Sequence, residues 1–184
     1  LASGEITGSF ALTEPNAGSD AASLETKAVE DGDDFLLTGT KQWITNAKSA
    51  QLFTVFARTD PDESRSKGVS AFLVEADRSG ISLSSNYKKM GQQGAHVCDI
   101  NFDQCRVPRS NIIGGPDRIN KGFQTAMKTL DRGRIHIAAL SVGCAKRLID
   151  MSISYALERK QFGKPIAEFQ LLQGMLADSQ AECY

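Results

Sequence analysis

No stretch of this sequence is apolar for long enough to cross a bilayer as a helix, which excludes a helical membrane span. No sign of charge dominates either. There are 21 Lys and Arg against 22 Asp and Glu, the net charge is −1, and the basic residues are scattered. That removes the footprint expected of a nucleic-acid binder or of a protein held to an anionic membrane. The four cysteines, Cys98, Cys105, Cys144 and Cys183, lie at no metal-like spacing, and no secretory segment precedes them. They read as reduced thiols of an intracellular protein, with neither metal nor disulfide roles. The two histidines, His96 and His136, have no partner pattern and carry no catalytic assignment. There is one Trp, no internal repeat and no low-complexity tract. What remains is ordinary for a globular chain: 184 residues, 41% hydrophobic and 23% charged, enough for a domain and part of another. The chain begins at Leu1 rather than Met and stops at Tyr184 inside a helical pattern, so it reads as a fragment.

Up to Ile113 the segments are short, β-branched and aromatic, and turn residues separate them. Strands are expected at Ile6 to Leu12, Leu24 to Val29, Phe35 to Leu37, Trp43 to Thr45, Leu52 to Ala57, Val69 to Val74, Ile81 to Leu83 and Val97 to Val107. Asp31-Gly32-Asp33 is a hairpin signal, and Thr38-Gly39-Thr40 reads as a second turn. Repeated short strands of this kind predict a β-barrel or sandwich. After Pro116 the period changes. Phe123, Met127 and Leu130 recur at helical spacing, and Ile137, Leu140, Cys144, Leu148, Met151 and Tyr155 form one apolar stripe on a long helix. Gly163-Lys164-Pro165 breaks it, and a second helix starts near Ile166, with Phe169, Leu172, Leu176 and Ser179 on one face. The fold class is α+β: an antiparallel β-barrel-like domain over 1–113, then a long-helix antiparallel pair over 114–184. Such a pair is a poor core alone, so further helices, another subunit, or both should cover it.

Phe10-Ala11-Leu12-Thr13-Glu14-Pro15-Asn16-Ala17-Gly18-Ser19-Asp20 closes the first strand in a tight turn. Pro fixes φ and keeps Glu14 extended, while Asn and Gly tolerate positive φ, so several N–H groups are left to face a ligand. On residue types alone the plainer reading is a hairpin corner with no ligand. Glu14, lying before Pro15, reads as a structural hydrogen-bonding residue rather than a base. Lys41-Gln42-Trp43-Ile44-Thr45-Asn46-Ala47 carries the only Trp, and Arg159-Lys160-Gln161-Phe162-Gly163 precedes the second helix.

These three stretches resemble the signature of the acyl-CoA dehydrogenase family: T-E-P-x-A-G-S-D, then K-x-W-I-T-N, then R-x-x-F-G, in the family's order along essentially the whole chain. The resemblance implies an FAD enzyme that oxidises an acyl-CoA thioester to the 2-enoyl-CoA. A carboxylate takes the α-proton and the β-hydrogen leaves as hydride to flavin N5. It implies that Phe10, Ala11, Leu12 and Thr13 line the isoalloxazine edge, where fixed donors would stabilise the charge that reduction brings. Trp43 would shield the flavin face, Thr45 would hydrogen-bond near N5, and Ile44 between them would be a cofactor-binding residue as well. Ser19 would reach the phosphate or pantetheine region. Arg159, Gln161, Phe162 and Gln170 would hold the FAD pyrophosphate and adenosine of a neighbouring subunit, the planar guanidinium being suited to phosphate. Asp131 and Arg134 resemble the family's substrate-contacting D-x-x-R segment.

The plain alternatives are a core aromatic at Trp43, a solvated charge cluster at 131–134, where the first helical stretch meets the long one, and a solvated helix cap at Arg159. Gly133 stands where isovaleryl-type members carry their catalytic Glu, so no catalytic residue is assigned, and the base is expected beyond Tyr184. The resemblance further implies an electron-transferring flavoprotein as acceptor, a homo-oligomer (tetramer or dimer), a role in fatty acid metabolism, and a cytoplasmic or mitochondrial-matrix setting. The rival readings are a non-catalytic flavin- or CoA-binding or assembly module of the same fold, and an acyl-CoA oxidase-like relative.

Overall fold

The computed structural model describes residues 1–63 and 65–184. The chain divides into two compact units, Leu1–Lys128 and Thr129–Tyr184.

The first unit is built on strands β1 (Gly8–Ala11), β2 (Lys27–Asp31), β3 (Asp34–Thr45), β4 (Leu52–Arg58), β5 (Val69–Glu75), β6 (Ile81–Leu83) and β7 (Val97–Pro108). They form one sheet, in the order β1-β4-β2-β3-β7-β6 with β5 on the other edge of β4, curled into a half-barrel. The pairings β2–β3, β3–β7, β4–β5 and β6–β7 are antiparallel, the first closed by the tight turn at Gly32-Asp33. β1 is laid parallel to β4, so the sheet as a whole is mixed. Phe35, Leu37, Phe53, Val55, Phe72, Val74, Ile100 and Val107 fill the concave side.

Two expectations are corrected here. The strand expected at Leu24 to Val29 runs from Lys27 to Asp31, because the N–H groups of Glu25 and Thr26 are bonded to a side chain instead of a ladder. Thr38-Gly39-Thr40 does not turn the chain, and β3 continues through it. The Gly signal there marks a bulge. Asp103 and Gln104 of β7 oppose Thr38 alone, Gln104 has φ 49°, and its N–H donates to Thr38 Oγ1 at 3.2 Å. Gly39 has φ 150°, and a Cβ there would lie 2.6 Å from Thr26 Oγ1. The same bulge moves the buried set of β7 from Cys98, Ile100 and Phe102 to Cys105 and Val107.

Helix α1 (Gly122–Glu158) is one uninterrupted helix. Its start is pinned to β5: Asn120 N–H donates to Ser70 Oγ at 2.8 Å, and a Cβ on Gly122 would meet the Ala71 nitrogen at 2.3 Å. The junction expected at 131–134 is therefore absent, and those residues lie within α1.

In the second unit, α1 ends where Arg159 N–H caps Tyr155 O, and a small hairpin follows: β8 (Lys160–Gln161) and β9 (Lys164–Pro165). Its loop, Phe162-Gly163, has φ 53° and 78°, as a tight two-residue connection requires. Helix α2 (Gln170–Cys183) then returns antiparallel to α1, bringing Cys183 Sγ within 3.7 Å of Val142 O. Most of the expected apolar stripe lies exposed in this pair, as a pair without its covering partners should leave it. Ile137, Leu140, Leu148, Met151 and Tyr155 are all more than half exposed, while Ile149 and Ala156 are buried. Apolar residues occur on more than one face of α1, and Val142, Ala145, Leu148 and Ile149 line the groove with Ser179, Glu182 and Cys183 of α2.

Candidate flavin site

The turn after β1 plugs a gap in the sheet. β1 leaves the edge of β4 at Val55, and β2 joins that edge only at Arg58. Glu14 fills the space between. Its carboxylate accepts the N–H of Glu25 at 2.5 Å and of Thr26 at 3.0 Å, and its Oε1 lies 2.6 Å from Lys41 Nζ. Lys41 Nζ also donates to Leu12 O at 3.1 Å. Glu14 and Ala17 exchange backbone bonds of 3.0 and 3.2 Å, which tightens the turn. Lys41 is fully buried and Glu14 nearly so. Burial pushes the Lys41 ammonium down to about 8, against the attraction of Glu14. For Glu14, burial would raise the carboxyl, but the Lys41 charge and the donated N–H groups outweigh it and hold it low. Such a pair belongs to the framework. Its carboxylate is spent on three donors and has no face for a substrate.

That clasp sets β1 against β3. Gln42 N–H donates to Thr13 O at 2.8 Å, and Ser9 Oγ donates to Thr45 O at 2.8 Å. Residues Phe10 to Thr13 therefore run beside Gln42 to Thr45. Within β3 the inward positions are Phe35, Leu37 and Lys41, and strict alternation would bury residue 43. A second bulge intervenes, where Gln42 and Trp43 oppose Asp99 alone. Trp43 takes φ 57° and is 58% exposed, while Ile44 returns to the core. Trp43 is thus an outward aromatic plate, not a core aromatic. Phe10, 37% exposed, packs on Phe56 at 5.0 Å between ring centroids. Among the described residues, the Thr13 and Thr45 hydroxyls and the indole N–H enter no hydrogen bond, and neither does the Thr13 backbone N–H. An exposed indole face beside unspent donors fits a flat ring with polar edges.

Two families of known proteins match the chain in turn: the middle domain of acyl-CoA dehydrogenase over residues 9–105 and its C-terminal domain over residues 120–184. This chain belongs to the acyl-CoA dehydrogenase family. Its relatives include the probable acyl-CoA dehydrogenase YngJ of Bacillus subtilis, 47% identical over 182 residues, covering 99% of this chain and 47% of that protein. The caffeyl-CoA reductase-Etf complex subunit CarC of Acetobacterium woodii is 46% identical over 169 residues, covering 92% and 44%. Among solved structures, a glutaryl-CoA dehydrogenase from Mycobacterium smegmatis in complex with FADH2 superposes with a TM-score of 0.89 at 32% identity, covering 99% of this chain and 45% of that one. The chain spans about half the length of the curated relatives it matches.

In this member of the acyl-CoA dehydrogenase family, the remaining expected site residues stand as follows. Ile44 is buried beneath the exposed pair Trp43 and Thr45, and Ala11 and Leu12 are buried as well. These residues can offer backbone atoms only. Ser19 is exposed in the bend beyond the turn. In the second unit, Arg159 is exposed, and among the described residues its guanidinium enters no ion pair. Phe162 is 92% exposed at the hairpin tip, edge-on to Phe169, and Gln170 opens α2. Asp131 and Arg134 pair with each other at 2.5 Å on the exposed side of α1. No helix among the described residues is long and apolar enough to cross a membrane, and no cluster of His, Cys, Asp or Glu there could hold a metal ion.

Sequence reasoning passed over Lys41, Tyr87 and Asp99. Tyr87 Oη donates to Asp99 Oδ2 at 2.9 Å, and the Gln42 side-chain amide donates to that phenol at 3.2 Å. The one signal for Lys41 was its parity with Phe35 and Leu37, which places a cation on the core face of β3.

Proposed function

We propose that this chain is the middle domain, over 1–113, and the opening of the C-terminal domain, over 114–184, of an FAD-dependent acyl-CoA dehydrogenase. The observation that carries the reading is the backbone bond from Gln42 N–H to Thr13 O, with Trp43 bulged outward beside it. It makes one surface of the two stretches that resemble the family's flavin signature. FAD, when bound, supplies the hydride acceptor.

The chain's own residues bind and orient. The Thr13 N–H and hydroxyl face the ring's polar edge, where added negative charge needs fixed donors. Trp43 covers a ring face and excludes water, and Thr45 donates near N5. Arg159, Gln161, Phe162 and Gln170 hold the pyrophosphate and adenosine of a neighbouring subunit's FAD. Ser19, Asp131 and Arg134 meet the acyl-CoA. No residue of this chain is assigned as the base. The electron acceptor is an electron-transferring flavoprotein, the assembly is a homo-oligomer, and the setting is cytoplasmic or mitochondrial.

Because the chain spans about half of its relatives and has no assigned base, flavin and CoA binding without turnover is the second reading for the chain taken alone. Mixing the protein with FAD and an acyl-CoA separates the two. Bleaching of the flavin absorbance supports the dehydrogenase, and binding without bleaching supports the module. Reoxidation by O₂ as fast as by an artificial acceptor would favour an oxidase.

A further inference from the structure

The bulge that turns Trp43 outward is held from the opposite strand. Trp43 sits at φ 57°, a conformation that a bulky residue avoids unless its surroundings impose it. Gln42 and Trp43 oppose Asp99 alone, which leaves the ladder broken at that point. Asp99 supplies the missing acceptor: Trp43 N–H donates to its Oδ1 at 3.2 Å. The carboxylate is itself fixed. Tyr87 Oη donates to Oδ1 and Oδ2 at 3.1 and 2.9 Å, and Asp99 N–H donates to Ser84 Oγ at 2.9 Å. The Gln42 side-chain amide donates to the same phenol at 3.2 Å, closing a ring of bonds around the bulge.

We propose that Asp99, braced by Tyr87, is a positioning residue that locks the left-handed Trp43 bulge and so holds the indole as the outer plate of the flavin site. The proposal rests on the flavin reading for its consequence, but its geometry does not depend on that reading. A backbone N–H bonded to a carboxylate is stronger than one bonded to a neutral acceptor. Asp99 therefore does for Trp43 what no ladder carbonyl can do across a bulge.

The 184-residue chain has one Trp, so its fluorescence reports this position alone. In the absence of flavin, Asp99→Ala should lower the anisotropy of Trp43 emission and raise its quenching by acrylamide. Loss of a charge-assisted bond should also weaken FAD retention about ten-fold. Asp99→Asn keeps a carbonyl acceptor and should restore both readouts towards wild type. Tyr87→Phe removes only the brace and should shift both in the same direction by less. If Asp99→Ala fails to fold, Tyr87→Phe decides. Unchanged anisotropy and quenching in a folded Asp99→Ala, or in Tyr87→Phe when it alone folds, would overturn the proposal. A fall in anisotropy with FAD affinity unchanged, or in a protein whose wild type binds no FAD, would instead sink the flavin reading and leave the lock standing.

Discussion

Lys41 Nζ lies 2.6 Å from Glu14 Oε1 with both side chains sealed from solvent, and this contact ties the turn after β1 to the middle of β3. Everything proposed for the flavin edge hangs from that tie. It fixes the level at which Thr13 meets Gln42, and hence which side of Trp43 the turn can reach.

Removing one partner should be costly. Lys41→Met leaves a buried carboxylate with no counter-charge, and breaking such a pair costs about 3–5 kcal/mol. Glu14→Leu strands Lys41 together with the N–H groups of Glu25 and Thr26. The double variant should lose less than the sum, by about 1–3 kcal/mol. Urea unfolding of the three proteins checks this, and simple additivity would mean that the contact contributes nothing of its own.

The pair also sets a pH dependence. Folded Lys41 releases its proton near 8, whereas the unfolded chain holds it to about 10.5. Between those values the unfolded state binds more protons, so this group's contribution to stability rises with pH, by at most about 1.4 kcal/mol per pH unit. Glu14 acts at the other end. Its lowered carboxyl stabilises above the ordinary carboxylate range, and that stabilisation is lost as pH falls through its folded value. Unfolding free energies between pH 7 and 10.5, compared with those of Lys41→Met, should show the alkaline slope in the wild type alone.

Gly39 is a steric necessity. With φ 150° and Thr26 Oγ1 at 2.6 Å from a Cβ, Gly39→Ala should destabilise the first unit by more than about 2 kcal/mol. Gly133→Ala should do the opposite. Its Cβ would meet nothing within 4 Å on α1, and the gain is about 0.5–1 kcal/mol of helix stability. Thermal unfolding read by circular dichroism would show both signs.

The phosphate grip is tested apart from the ring. Arg159→Ala should lower FAD affinity about ten-fold or more, as loss of a charge-assisted contact implies, without changing the flavin spectrum. Thr45→Val should perturb the spectrum or the reduction rate and leave affinity nearly intact. Unchanged FAD occupancy in Arg159→Ala would remove that carry-over, and an unaltered spectrum and rate in Thr45→Val would remove the N5 contact.

The short β segments, the Asp31-Gly32-Asp33 hairpin and the return of α2 were legible in the sequence because each depends on local turn chemistry or on a simple period. What escaped was non-local. Both bulges of β3 arise from its pairing with β7, which no periodicity of one strand reveals, and so Thr38-Gly39-Thr40 carries only a turn signal in the sequence. The parallel docking of β1 on β4 is likewise set by residues far apart in the chain. On α1, apolar residues occupy more than one face, and pattern alone could not say which face α2 would take. In the candidate site, the Thr13 and Trp43 stretches were legible by family likeness, and Glu14 by its place before Pro15. The supports behind them, Lys41, Tyr87 and Asp99, are ordinary polar residues until the fold brings them together.

The most direct test is the emission of Trp43 as FAD is added to the protein. If the ring lies against the indole, emission should fall strongly and saturate at one FAD per chain, and Trp43→Phe should abolish the signal while FAD still binds. FAD bound at that stoichiometry with Trp43 emission undiminished would place the ring elsewhere and contradict the account.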